Sequence, residues 1–307
     1  MKNSKLTKLV VLILAMSMMT FALAGCGSDS ADDSAVKVGD PDKKSILVVS
    51  FGTSYNDTRA VTIDAIEKKI ADEFSDEYDV RRAFTAQIII DKLLERDGLE
   101  IDNVEQAMDR LVEDGVGTLI IQPTHIMHGS EYDELTEAVS GYTDNFDSII
   151  IGEPLLSSHE DYAMVSEIIK EGTADMNKAG TAILLMGHGT NHFANSTYAC
   201  FDSHLKHEVG RNYFVGTVEG YPMLEQVIED LKLTDAKKVV LYPLMIVAGD
   251  HANNDMAGEE DDSWTTQLKK AGYEVEAVLK GLGEYEGIQK MYVEHIQAAI
   301  DGPSEEE

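Results

Sequence analysis

Cysteine is nearly absent from this chain: Cys26 and Cys200 are the two in 307 residues. With one of them in a leader segment, no disulfide framework holds the fold, and stability has to come from packing. Basic residues are scarce too, 25 Lys plus Arg against 56 Asp plus Glu, for a formal charge of −31. That deficit argues against nucleic acid as a partner, since phosphate recognition needs clustered cations. There are six prolines, and one long apolar run near the start. Hydrophobic residues still make up 43% of the sequence, enough for a real core and too many for an unstructured chain.

The apolar run, Leu9 to Ala24, follows Lys2, Lys5 and Lys8 and is broken only by Ser17 and Thr20. A positive n-region and a short apolar stretch read as a secretory signal over residues 1–25, shorter than the ~20 residues of a membrane-spanning helix. Leu23-Ala24-Gly25-Cys26 resembles a lipobox, in which Cys26 is acylated and becomes the mature N-terminus. The expected location is therefore extracytoplasmic, anchored to the bacterial membrane through lipidated Cys26. Residues 26–45, rich in Ser, Asp, Gly and Lys, read as a flexible tether, and residues 302–307 as an acidic tail.

Between tether and tail, β-rich runs alternate with helix-length spacers. Runs at Ile46–Phe51, Tyr78–Phe84, Thr118–Gln122 and Ser148–Ile151 are followed by a second set at Ala182–Met186, Tyr213–Val218, Lys238–Tyr242 and Glu274–Leu279. This βαβ rhythm predicts an α/β fold of two similar lobes, residues 46–160 and 161–301, each with four parallel strands. Ile63, Ile66, Ile70 and Phe74 fall on one helical face, with Ser54-Tyr-Asn-Asp57 as a candidate capping box. Local sequence repeats as well. Leu119 to Gly129 can be laid on Val239 to Gly249, matching Pro123 with Pro243. In open parallel sheets ligands bind beyond the carboxyl ends of the strands, so a cleft between the lobes is the expected site.

The chemistry-bearing residues cluster at those strand ends. His188 stands in Met186-Gly-His-Gly-Thr190, His251 in Ala248-Gly-Asp-His-Ala252 and Glu219 at the end of Gly216-Thr-Val-Glu219. Two imidazoles and a carboxylate on neighbouring elements of one lobe suit a borderline divalent metal such as Co, Ni, Fe or Zn. A glycine turn after a strand also starts helices or cradles phosphates, though no Walker lysine follows. Glu131 is the first-lobe counterpart of His251, and His125 just before it faces either the cleft or the core. His192, His204 and His207 sit on or near the following helix, the last two three apart, and read as a solvated face with a second metal site as the alternative; the acidic run Glu259 to Asp262 reads as a solvated helix start, with metal collection as the alternative because His251 is close.

These residues carry a resemblance to the CbiK-type anaerobic cobalt chelatases, the sirohydrochlorin cobaltochelatases of cobalamin biosynthesis. The matching stretches are Leu47-Val-Val-Ser-Phe-Gly-Thr-Ser54, Arg82-Ala-Phe-Thr85, His125-Ile, Glu131-Tyr132, Pro154-Leu-Leu-Ser-Ser-His159, Met186-Gly-His-Gly189, Tyr198-Ala-Cys200 and Pro243 to Ala252. Asn254-Asp-Met256, Asp262-Ser-Trp264 and Gly281-Leu-Gly-Glu284 add to them. The resemblance covers almost all of the chain after its leader. It implies the chelatase superfamily fold, two Rossmann-like lobes around a tetrapyrrole cleft. It implies His188, Glu219 and His251 as metal ligands, His188 and Glu131 as catalytic groups, and insertion of Co²⁺, or alternatively Fe²⁺ or Ni²⁺, without ATP or any nucleotide.

A sirohydrochlorin-type macrocycle carries many carboxylates, and Arg59, Arg81 and Arg82 are the cations considered for them, Arg82 first because it lies in a matching segment. Arg82 and His125 are thus the expected substrate-binding residues, with a salt bridge to the acid-rich helices as the alternative for Arg82. The lipobox adds a second reading: a non-catalytic lipoprotein that binds metal, tetrapyrrole or haem and passes it to a metal or haem transporter. No haem-binding motif is present, and a homo-oligomer is compatible with either reading.

Overall fold

The structure, a computed structural model, describes residues 38–302. The expected signal segment, Cys26, most of the tether and residues 303–307 lie outside the described residues. None of the described helices is long and apolar enough to cross a membrane.

The chain runs β1 (Asp40–Ser50), α1 (Asn56–Val61), α2 (Ile63–Phe74), β2 (Asp79–Phe84), α3 (Gln87–Asp97), α4 (Val104–Glu113), β3 (Val116–Pro123), α5 (Ser130–Ser140) and β4 (Ser148–Ile151). After α6 (His159–Thr173) the second set follows: β5 (Thr181–Gly187), α7 (Ser196–Glu208), β6 (Tyr213–Thr217), α8 (Leu224–Leu231), β7 (Lys238–Pro243), α9 (Trp264–Lys270), β8 (Glu274–Ala277) and α10 (Glu286–Asp301). The first sheet has strand order β2-β1-β3-β4 and the second β6-β5-β7-β8, all pairs parallel. The repeat seen in local sequence is thus a repeat of topology.

Alternation along the central strands decides which core each side chain joins. In β1, Ile46 and Val48 face an inner core with Ile66, Ile70, Val165 and Ile169, while Leu47 and Val49 face an outer core with Met108, Leu111 and Leu135. In β5, Ile183 and Leu185 join that same inner core, and Ala182, Leu184 and Met186 pack outward on Leu224, Val227 and Trp264. One apolar layer is therefore shared between the two sheets. Each of its fully buried leucines and isoleucines contributes about 1.5–3 kcal/mol of transfer free energy.

Two local expectations change. β1 starts at Asp40, so residues 40–45 belong to the sheet and not to the tether: Asp40 pairs beside Val116 and its N–H donates to the Gly115 carbonyl at 2.9 Å. The candidate capping box at Ser54 does not form, because α1 begins at Asn56 with Tyr55 as an uncapped N-terminal residue, and Thr53 Oγ1 accepts from the Tyr55 N–H. The amphipathic helix itself is there, with Ile63, Ile66, Ile70 and Phe74 buried along α2.

The last helix crosses back to the first sheet. α10 packs on α2 and β3, and the buried Tyr292 hydroxyl donates to the Thr124 carbonyl at 2.9 Å, directly after β3 ends. His295 on the same helix meets the Glu153 carbonyl at 3.1 Å through Nδ1 and Asp161 Oδ1 at 3.0 Å through Nε2. Through these two contacts the imidazole ties α10 to the loop after β4 and to the first turn of α6.

Candidate active site

In each sheet the chain leaves the two central strands toward opposite sides, which opens a crevice at their carboxyl ends. Both crevices open into one cavity of about 720 Å³, lined from the β1, β3, β5 and β7 exits by Phe51, His125, Glu131, His188, Ile246 and His251 among others. That volume is in the upper half of the usual range for small-molecule sites, roughly 300–1,000 Å³, and far exceeds what a bare ion needs.

Glycine makes the β5 exit. Gly189 has φ +85°, and a Cβ there would stand 2.4 Å from the Gly220 backbone nitrogen. Only glycine fits that left-handed position against the neighbouring loop. The turn leaves His188 projecting into the cavity, with its Nδ1 2.8 Å from the Gly189 carbonyl. A carbonyl only accepts, so Nδ1 carries the proton and Nε2 keeps a free lone pair. At the β7 exit His251 Nδ1 meets Asp255 Oδ2 at 2.6 Å, which fixes the same tautomer. The two rings lie edge to face, centroids 4.5 Å apart and planes at 85°.

Glu219 lines the same cavity, tied to His188 through its backbone N–H on the His188 carbonyl at 2.8 Å. Its carboxylate does not complete a closed cage: among the described residues no three His, Cys, Asp or Glu side chains stand close enough together to hold an ion. The structure thus joins His188 with His251 and leaves Glu219 nearby on a turn.

The first lobe supplies the other wall. Glu131 opens α5 and lines the cavity; burial pushes its carboxyl upward, with the nearby His188 pulling the other way. His125 lies behind it, its Nε2 3.7 Å from Glu131 Oε2 and neither ring nitrogen hydrogen-bonded. Complete burial lowers His125 to about 4, so this imidazole is neutral at ordinary pH. Of the two directions open to it, it takes the cavity wall.

Arg82 does not line the cavity. Its guanidinium is bound to Asp64 and Glu67 of α2, with Nε 2.8 Å from Glu67 Oε1, and lies over the Phe84 ring. The reason is local: β2 runs beside α2, whose acids lie within reach of a side chain emerging at position 82. Arg81 pairs with Asp79 and Asp114, and Arg59 with Asn56 near Asp64. Among the described residues, no Lys or Arg lines the cavity at all. Carboxylates entering it meet hydroxyls such as Thr53, Tyr55 and Ser130, the Asn191 amide and imidazoles.

Three features escaped the sequence reading. His192 stands just ahead of α7, as its position in the sequence suggests, and from there it also lines the cavity and reaches Asp133 of the other lobe at 3.3 Å. Tyr55 from the first lobe donates to Asp250 in the His251 loop at 3.3 Å. Asp255 is buttressed against His251; its spacing of four was visible, but not the turn that uses it. His204 meets Ser166 at 2.9 Å and the edge of His159, while His207 is exposed, so the two share no site. The acidic run is an exposed loop before α9, whose N-cap is Ser263.

Comparison with known proteins agrees with this architecture. The chain is 40% identical over 264 residues to a sirohydrochlorin cobaltochelatase of Salmonella typhimurium, covering 86% of this chain and 99% of the relative. It is 31% identical over 260 residues to the sirohydrochlorin cobaltochelatase CbiKC of Nitratidesulfovibrio vulgaris, covering 84% and 91%. The solved structure of SirB from Bacillus subtilis with Fe3+ superposes with a TM-score of 0.60 at 14% identity, covering 84% of this chain and 95% of that one, a likeness of fold. Residues 44–301 match the family described as Cobalt chelatase (CbiK), and with that match and the two relatives the chain belongs to the CbiK cobalt chelatase family.

Proposed function

We propose that this chain is a sirohydrochlorin cobaltochelatase, inserting Co²⁺ into a sirohydrochlorin-type tetrapyrrole without a nucleotide. The observation that carries the reading is the imidazole pair, His188 and His251, each held with Nε2 free in a cavity large enough for a macrocycle. The reaction exchanges one divalent ion for the two pyrrole N–H protons. Nε2 of His188 and of His251 ligate the incoming ion, Glu219 adds a carboxylate, and the pyrrole nitrogens then displace them. An ion that must leave is served by a site with open positions; a closed tetrahedral cage of protein ligands would retain it. Glu131, on the facing wall, orients the macrocycle or takes one pyrrole proton, its carboxyl being raised by burial. His188 takes the other once its metal has moved on. Imidazole donors suit Co²⁺ and equally Fe²⁺ or Ni²⁺, so availability sets the physiological ion.

The test is anaerobic: sirohydrochlorin absorption followed with Co²⁺, Fe²⁺ or Ni²⁺ and the soluble body from Gly27 onward. Insertion faster than the protein-free rate supports the reading. Tight stoichiometric binding with no metallated product contradicts it and makes the protein a carrier that feeds a transporter.

The location we propose is the outer face of the membrane, through acylated Cys26. Its support is the lipobox at Leu23 to Cys26 and the start of the family match at residue 44, beyond the leader. Cys26→Ser should move the protein from the membrane to the soluble fraction; an unchanged distribution contradicts anchoring there.

A further inference from the structure

The two imidazoles are held in the same tautomer by acceptors of different charge. His188 leans on a neutral carbonyl, Gly189 O, and His251 on a carboxylate, Asp255 Oδ2 at 2.6 Å. Residues 251 and 255 are four apart on one helical turn and so face each other. Asp255 itself sits in a turn of π-helix, Ala252–Met256, in which the Ala257 N–H donates to the Ala252 carbonyl five residues back at 3.1 Å, and such turns recur at functional sites. Asp255 has no competing ion pair: among the described residues no Lys or Arg bridges to it, and the adjacent acid Asp250 is engaged by Tyr55 and Asn254 instead.

We propose that Asp255 is a positioning residue for the metal substrate, and that it divides the labour of the two histidines. The inference rests on the reading of His188 and His251 as ligands of the incoming ion. A carboxylate accepting from Nδ1–H locks the ring orientation and makes Nε2 a stronger donor, and removing such a partner typically costs about 10–100-fold in metal affinity. His251 therefore holds the ion. His188, supported only by a carbonyl, is the weaker donor and the first to release the ion to the macrocycle. Two identical side chains acquire different roles from what stands behind them.

Asp255→Ala and Asp255→Asn test this, with His251→Ala as the reference. Co²⁺ binding is titrated without tetrapyrrole, sirohydrochlorin binding is followed separately by fluorescence quenching, and KM for Co²⁺ is compared with kcat. For Asp255→Ala we expect Co²⁺ affinity to fall and its KM to rise by about 10–100-fold, with sirohydrochlorin affinity and Tm unchanged. Asp255→Asn should recover part of the loss, since its amide oxygen still accepts from Nδ1–H without the charge. Wild-type Co²⁺ affinity and KM in Asp255→Ala, or an equal loss of Co²⁺ and tetrapyrrole binding, overturns the proposal. If His251→Ala itself leaves Co²⁺ affinity and KM unchanged, the ligand reading falls and the proposal with it. If His251→Ala weakens Co²⁺ while Asp255→Ala does not, the proposal falls alone.

Discussion

At the residue scale, strand-end histidines were legible because a glycine on each side of position 188 leaves few roles for an imidazole other than projecting from the sheet. His188→Ala should lower metal insertion by about a hundredfold or more while leaving the unfolding midpoint unchanged, since the side chain is exposed in the cavity. Retained turnover in an assay with saturating Co²⁺ contradicts its role. His125 was not legible: its sequence neighbours do not tell whether it faces core or cleft, and only the fold buries it behind Glu131. Its burial has a pH consequence with a definite sign. Folded His125 titrates near 4 against 6.5 for an ordinary histidine, so below 6.5 the unfolded chain binds a proton that the folded chain refuses. The full stability is present above pH 6.5, and about 3 kcal/mol is lost as the pH falls to about 4. His125→Leu, which leaves no unpaired ring nitrogen, should flatten that part of the pH profile in urea unfolding. An identical slope in the variant contradicts the assignment. Arg82 takes the second of its two readings: its motif position pointed to substrate, and the salt bridge with the acids of α2 is what forms.

At the element scale, the central strands were easy to read because each is a compact apolar run, and the shared inner core follows from their alternation. Their edges were harder. β1 extends back to Asp40 through polar residues that pair along β3, and backbone pairing leaves no hydrophobic signature. The return of α10 to the first sheet was likewise invisible, since its apolar face says that it packs but not on what. Its attachment predicts a coupling. Asp161 caps α6, accepting from the Ser157 and Ser158 N–H groups at 3.1 and 2.7 Å, and binds His295 of α10. Despite the upward push of its burial, these bonds hold the Asp161 carboxyl below its usual range. Its contribution is therefore present above the ordinary carboxylate pKa and is lost on acidification. Asp161→Ala should cost about 2 kcal/mol in urea unfolding at pH 7, through the cap and the charged hydrogen bond together. A change below half of that would mean that α10 is held by its apolar face alone.

At the scale of the whole molecule, net charge and cavity lining combine. A chain at −31 attracts a divalent cation over long range and repels a polycarboxylate macrocycle, and among the described residues no lysine or arginine on the cavity wall reverses the second effect. Salt should therefore act with opposite signs on the two substrates: raising ionic strength from about 10 mM to 100 mM, which shortens the screening length from about 30 to 10 Å, should tighten sirohydrochlorin and weaken Co²⁺. Tighter sirohydrochlorin binding at low salt would show that cations reach its carboxylates after all. The charge was plain in the composition; the cation-free wall was not, because it depends on which acids each arginine meets. The central claim is that paired imidazoles at the ends of β5 and β7 transfer Co²⁺ to a tetrapyrrole. Its most direct test is the anaerobic insertion rate of sirohydrochlorin with Co²⁺ in the wild type, His188→Ala and His251→Ala. The account predicts insertion well above the protein-free rate in the wild type and near that rate in both variants. Wild-type rates in both variants, or no acceleration by the wild type, would contradict it.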